Sequence, residues 1–118
     1  GPLRISENTY EAVNAATGWN LTYEDARRIA ERQWNMIRCC SAREGFTRND
    51  DRLPVRFMEE PVPDGPMKGS LIKKETLERL KDDYYAYRGW DLKTGNPTPE
   101  KLAELGLDFA IQDLYGKA

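Results

Sequence analysis

Histidine is absent from the 118 residues. Acid–base catalysis near neutral pH loses its usual side chain, and a zinc site within the chain loses a usual ligand. Cysteine occurs twice, side by side at Cys39 and Cys40. Neighbouring cysteines on a helix point apart and rarely bridge each other, so a reducing, cytoplasmic setting is expected. Two adjacent thiols also fall short of the spaced thiolates that an iron–sulfur cluster takes. No apolar run is long enough to cross a bilayer, so no membrane partner is expected. The N-terminus has no basic stretch followed by an apolar one, which argues against a secretory leader. Neither sign of charge dominates: the net charge is −2. A phosphate backbone wants a basic surface, so nucleic acid is not an expected partner. Internal repeats and the alternating pattern of half-buried strands are missing too.

What is present reads as helix. Hydrophobic residues make up 39% and charged residues 32%, a balance that suits one folded domain over 1–118 rather than a disordered chain. The first short helix is predicted over about residues 6–16, capped by Ser6 and ended by Thr17-Gly18. The second begins after Thr22, whose cap is reinforced by Asp25 three positions on, and Gly45 stops it. Along it Ala26, Ile29, Ala30, Gln33, Ile37 and Cys40 recur at helical spacing, with Trp34 and Met36 widening the stripe. That stripe is the expected core face. From Phe46 to Gly69 four prolines (54, 61, 63 and 66) interrupt any regular ladder. Leu53, Val55, Phe57 and Met58 are expected to pin this excursion to the helices. A third helix follows over Lys74–Arg88, with Leu77, Leu80, Tyr84 and Tyr87 on its expected inner face and Gly89 as its stop. Thr98 caps a short helix that opens on Pro99 and buries Leu102 and Leu105. A last one is expected over about 108–115. The class is all-α, a small domain of four or five helices with a long proline-rich irregular loop.

Candidate chemistry is thin. Eight arginines and no lysine lie between Tyr23 and Arg56. The planar guanidinium grips carboxylates and phosphates bidentately, where lysine cannot. An anion site or a domain interface is one reading; ion pairing with the six acids of the same segment is the plainer one. Arg38, Arg43, Arg48, Asp50, Asp51 and Arg88 are the candidate interface or ion-pair residues. Adjacent carboxylates such as Asp50 and Asp51 can hold a metal or move a proton. Flanked by arginines, they read better as structural pairs with depressed pKa values. Cys40, on the apolar stripe, reads as a small hydrophobe. The tyrosines of Tyr84-Tyr85-Ala86-Tyr87-Arg88-Gly89-Trp90-Asp91 could line a pocket, and read more simply as core. No catalytic, cofactor or metal-binding residue emerges.

Several strings nonetheless converge in order and spacing. They are Thr17-Gly18-Trp19, then Glu31-Arg32 with Arg38, then the run from Arg43 to Arg56. After these come Asp64-Gly65-Pro66-Met67-Lys68-Gly69, the octapeptide at 84–91, Thr94-Gly95-Asn96-Pro97-Thr98, and Lys101 to Leu107. Together they resemble the C-terminal end of the aldehyde:ferredoxin oxidoreductase family, over about residues 8–114. The resemblance implies a tungsten (occasionally molybdenum) enzyme with a bis-pterin cofactor, which oxidises aldehydes to carboxylic acids and passes electrons through a [4Fe-4S] cluster to ferredoxin. It also implies that the cluster cysteines and the pterin-binding motif lie upstream, so neither Cys39 nor Cys40 carries over as a ligand. The chain alone is then expected to bind no cofactor and to have no activity. Its expected partners are the upstream cofactor domains, ferredoxin by way of the parent enzyme, and, through the apolar surface such a separation would bare, a second copy of itself. A stand-alone helical interaction module without catalysis is the alternative.

Overall fold

The computed structural model describes residues 7–116. They form six α-helices: α1 (Glu7–Thr17), α2 (Tyr23–Arg43), α3 (Arg56–Glu59), α4 (Lys74–Arg88), α5 (Pro99–Glu104) and α6 (Asp108–Tyr115). A 3-10 turn spans Arg48–Asp50. No strand occurs among the described residues, only an isolated bridge between Trp90 and Pro97. The all-α class is the one expected. Four helices are longer than six residues; α3 is a single turn inside the proline-rich excursion. The expected cap at Ser6 lies outside the described residues.

Local signals set the helix boundaries. Thr22 Oγ1 accepts from the Asp25 amide at 3.2 Å, and Asp25 Oδ2 accepts from the Thr22 amide at 2.8 Å. This reciprocal cap starts α2 where its sequence says. Asn14 in α1 grips the backbone of Leu21 in both directions, at 2.8 and 2.9 Å, which fixes the entry to α2. At the end of α4, Gly89 takes φ +69 and lets the chain turn sharply into Trp90. Thr98 caps α5 through the Lys101 amide, with Pro99 in the first turn.

The apolar core is small and lies at one end. Leu102 of α5, Leu105 at its C-terminal cap, Leu107, and Ala110 of α6 pack on Cys39 of α2, with Met36, Ile111 and Leu114 partly buried against them. Each fully buried leucine contributes about 1.5–3 kcal/mol.

Away from this corner, burial departs from the sequence expectation. The expected inner stripe of α2 faces outward: Ile29, Ala30, Gln33, Trp34, Ile37 and Cys40 are exposed. The buried residues of α2 are Asn35, Arg38 and Cys39. The packed thiol is therefore Cys39, not Cys40. On α4 the buried residue is Tyr85, whereas Leu80, Tyr84 and Tyr87 are exposed and Leu77 is half-buried. In the excursion Leu53 and Met58 are partly buried, but Val55 and Phe57 stand out in solvent. This segment instead closes on itself, through Val62 N to Ser70 O at 3.1 Å, Gly69 N to Val62 O at 2.8 Å and Ile72 N to Phe57 O at 3.0 Å.

Shape explains the inversion. The chain measures 52 × 46 × 21 Å. The short dimension is about two helix diameters, so a long helix has one covered face and one bare face. The radius of gyration is 18.3 Å, against about 13–14 Å for a compact domain of this length. Accessible surface totals 9024 Å², about 2,400 Å² above that of a compact monomer of 13.6 kDa.

Candidate functional site

Three residues of α2, spaced i, i+4 and i+7, define its inward face: Glu31, Asn35 and Arg38. Asn35 is fully buried, and both ends of its amide are used. Its Nδ2 donates to Glu31 O at 2.9 Å, and its Oδ1 accepts from Trp90 Nε1 at 2.9 Å. Arg38 is buried behind it. Its Nε donates to Gly95 O at 2.8 Å, while Nη1 and Nη2 donate to Asp51 Oδ1 and Oδ2 at 2.9 and 2.6 Å. That fork-on-carboxylate geometry is the strong form of an ion pair. The guanidinium also lies 5.1 Å from the centroid of the Trp90 ring.

Tyr85 closes the cluster. Its hydroxyl donates to Asp51 Oδ2, and its ring stacks at a tilt on Trp90 with centroids 6.0 Å apart. Burial alone would raise the Asp51 carboxyl. Hydrogen bonds from Arg38 and Tyr85, with the charges of Arg38 and Lys81, hold it below the ordinary carboxylate value instead. Burial and the Asp51 carboxylate push the Tyr85 phenol well above the ordinary tyrosine value. Gly95 completes the wall with φ +73; a Cβ there would sit 2.6 Å from Arg38 Nη2 and 3.0 Å from the Tyr85 ring. Glycine is demanded twice, by backbone conformation and by close approach.

The remaining candidate residues act as separate staples. Arg48 reaches α4 through Glu78 Oε2 at 2.7 Å and Asp82, and the following turn through Leu92 O at 2.7 Å. Arg88 pairs with Glu31 at 2.9 Å, and Lys101 meets the other oxygen of that carboxylate at 3.3 Å. Arg43 stays exposed, 3.6 Å from Asp113 and from Glu44. Asp50 and Asp51 are adjacent in sequence yet do different things. Asp50 caps the 3-10 turn by accepting from Thr47 N at 2.8 Å, and only Asp51 joins the Arg38 cluster. Arg28 and Arg32 cap the end of α5 through Glu104 O, Leu105 O and Gly106 O. Sequence reasoning missed Asn35, and it read the tyrosines of 84–91 as core but put Tyr84 and Tyr87, rather than Tyr85, on the inner face of α4. The i, i+4, i+7 spacing of Glu31, Asn35 and Arg38 was the available signal, and a more hydrophobic stripe outcompeted it.

On the outer side, α2 and α4 form the walls of a cleft of about 380 Å³. Trp34, Ile37, Leu80 and Tyr84 line it, over a floor that includes Arg38, Asp51 and Tyr85. Trp34 Nε1 donates to Tyr84 Oη at 2.8 Å across the opening. A second concavity lies in the excursion, between Phe57, Val62, Met67 and Leu71.

Among the described residues no group of three or more His, Cys, Asp or Glu side chains is arranged to hold a metal ion. Cys39 faces the core and Cys40 faces solvent, which does not match a cluster that takes four thiolates. No helix among the described residues is long and apolar enough to cross a membrane.

Comparison with known proteins identifies the lineage. Residues 4–107 match the family described as aldehyde ferredoxin oxidoreductase, domains 2 & 3. The chain is 46% identical over 99 residues to a tungsten-containing aldehyde ferredoxin oxidoreductase of Pyrococcus furiosus; the match covers 82% of this chain and 16% of that protein. The enzyme of the same name from Thermococcus kodakarensis is 42% identical over 99 residues, with the same coverage. An aliphatic sulfonate oxidoreductase, WOR-like subunit, of Pyrococcus furiosus is 33% identical over 114 residues, covering 92% of this chain and 18% of that one. The chain thus spans about a sixth of the length of these relatives. On the extent of the family match, this chain belongs to the aldehyde ferredoxin oxidoreductase family, within the part described as its domains 2 and 3.

Proposed function

We propose that these residues are a non-catalytic helical shell of an aldehyde-oxidising tungstoenzyme. They dock their bare α2–α4 face on the rest of that enzyme and help to enclose its cofactor domains. The observation that carries this reading is the inverted burial of α2 and α4. α2 turns Asn35 and Arg38 inward and Ile29, Trp34 and Ile37 outward, and α4 leaves Leu80, Tyr84 and Tyr87 exposed beside them, an apolar face that has a physical sense if something else covers it. The excess surface of about 2,400 Å² supports it, being of the order of a large permanent interface. The parent reaction on this reading is oxidation of an aldehyde to a carboxylate, with electrons leaving through a [4Fe-4S] cluster to ferredoxin in the cytoplasm. Tungstopterin (or molybdopterin) and cluster would be held by residues outside this chain.

The chain produced alone is then expected to carry neither tungsten nor iron and to reduce no viologen dye with aldehyde present. Stoichiometric metal on the purified chain would overturn the reading. A second reading, a stand-alone interaction module, is favoured by the closed Arg38–Asp51–Tyr85–Trp90–Asn35 cluster, which completes its bonds within these residues. The mass of the polypeptide that carries this segment in its own cells separates the two: 13.6 kDa for the module, several times that for the enzyme.

A further inference from the structure

The cleft between α2 and α4 is unusual in how its polar floor is finished. Arg38 is occupied by Asp51 and by Gly95 O. Lys81 is occupied by Glu78 at 2.8 Å and by Arg48 O at 3.3 Å. Ser41 Oγ donates to Ile37 O at 3.1 Å, and Trp34 Nε1 to Tyr84 Oη. Each of these side chains already has a protein partner, so covering the floor with hydrocarbon costs less than burying unpaired polar groups. A charged occupant would find each counter-charge already engaged.

We propose that this cleft is the anchor pocket of the docking face. Its occupant is an uncharged apolar side chain (leucine, methionine or phenylalanine) projecting from the part of the enzyme polypeptide outside this chain. The inference rests on the docking reading above and names its central contact. The size agrees: a cavity of about 150 Å³ takes up a benzene ring, so 380 Å³ has room for one or two such side chains. The walls agree, because tryptophan and tyrosine in a desolvated pocket are the usual energetic centre of an interface. One polar handle is present. Tyr84 Oη accepts from Trp34 Nε1 and from Arg88 Nε at 3.2 Å, and its own proton is left for an acceptor such as a backbone carbonyl. A second copy of this chain is the weaker occupant. One standard contact covers about 800 Å² per partner, a third of the surplus area, whereas embedding in a protein about five times longer can cover all of it.

Hydroxyl-radical footprinting tests the proposal on the polypeptide purified intact from its own cells, compared with the 118-residue chain produced alone. Trp34 and Tyr84 should label about tenfold less in the intact enzyme, as residues at an interface core do. If Ile29 and Tyr87 on the same helices are protected but Trp34 and Tyr84 are not, docking stands and the anchor pocket is wrong. If none of the four is protected, both ideas fall. Ile37→Asp gives a second readout. It should leave the melting temperature of the isolated chain unchanged, because Ile37 is exposed there. In the intact polypeptide it should loosen the docked state roughly 30-fold, as for a central hot spot, seen as restored labelling of Trp34. Unchanged protection in Ile37→Asp would overturn the proposal. So would a dimer of the isolated chain that Ile37→Asp dissolves while the intact enzyme keeps Trp34 exposed.

Discussion

The two long faces of α2 invert the usual sorting of residues. The inward one carries an amide, a guanidinium and a thiol: Asn35, Arg38 and Cys39. The outward one carries Ile29, Trp34 and Ile37, each near half exposed. Polar groups can be buried here because they arrive with their partners. Asn35 meets Trp90, and Arg38 meets Asp51 in bidentate fashion, so neither burial leaves an orphan. Apolar groups can be left bare because nothing in a plate 21 Å thick reaches the other side. The inward face supplies the shape of the segment, and the outward face supplies its reason for having a partner.

The largest expected effect that probes this contrast is on the inward side. Arg38→Ala removes the bidentate partner of half-buried Asp51 and should cost about 3 kcal/mol in urea unfolding, toward the low end for broken buried pairs because Asp51 keeps Tyr85, the Lys81 charge and some solvent. Asp51→Ala in the same background should recover part of that loss; strict additivity would mean the two do not act as a pair. Gly95→Ala comes next. It forces a left-handed alanine and a contact with Arg38, so a loss of about 2 kcal/mol is expected, and a neutral result would show that the wall is looser than it looks.

The pH profile follows from the same pair. The folded-state pKa of Asp51 lies below its ordinary 3.8. Its contribution is therefore complete above about pH 4 and is lost as pH falls through the folded-state value. Tyr85 acts at the other end. Its folded-state pKa is raised above the ordinary 10.0, so its share is complete below pH 10 and is lost as pH rises from there. Asp51→Asn should flatten the acid limb of stability against pH. An unaltered acid limb would assign it to other carboxylates.

Effects on the outward face should be small in stability and visible in association. Ile29→Ser together with Ile37→Ser should change unfolding by no more than about 0.5 kcal/mol each, while sedimentation shows less self-association of the isolated chain. A loss of several kcal/mol would mean that the face is already covered within the chain. The mildest probe is chemical. Burial, with Cys40 and Asp113 nearby, pushes the Cys39 thiol up to about 11, and Cys40 is exposed. A thiol reagent at pH 8 should take Cys40 first and reach Cys39 only on unfolding; equal rates would put both thiols on the surface.

Much of the fold was legible because it is decided within a few residues. Thr22 with Asp25, Gly89, and Thr98 with Pro99 mark helix ends by local hydrogen bonding and backbone preference, and α2 and α4 occur where these signals place them. Leu102 of α5 and Leu105 at its cap were legible as well, because so short a helix offers no rival apolar face. The cluster around Arg38 was not. Its members come from α2, the loop at Asp51, Tyr85, Trp90 and the turn at Gly95, and nothing local says that they meet. Periodicity on α2 and α4 found the hydrophobic face correctly and assigned it to the wrong side, since a hydrophobic stripe says that a face wants cover and not what covers it.

The sequence by itself therefore determined the helices outside the proline-rich excursion, and the family, because capping, glycine stops and ordered motifs are properties of short stretches of chain. Only the tertiary structure decided which side of each helix is interior. That choice depends on partners such as Asp51 for Arg38 and Trp90 for Asn35, which lie 13 and 55 residues away. It depends as well on the absence, among the described residues, of a layer over Ile37 and Leu80.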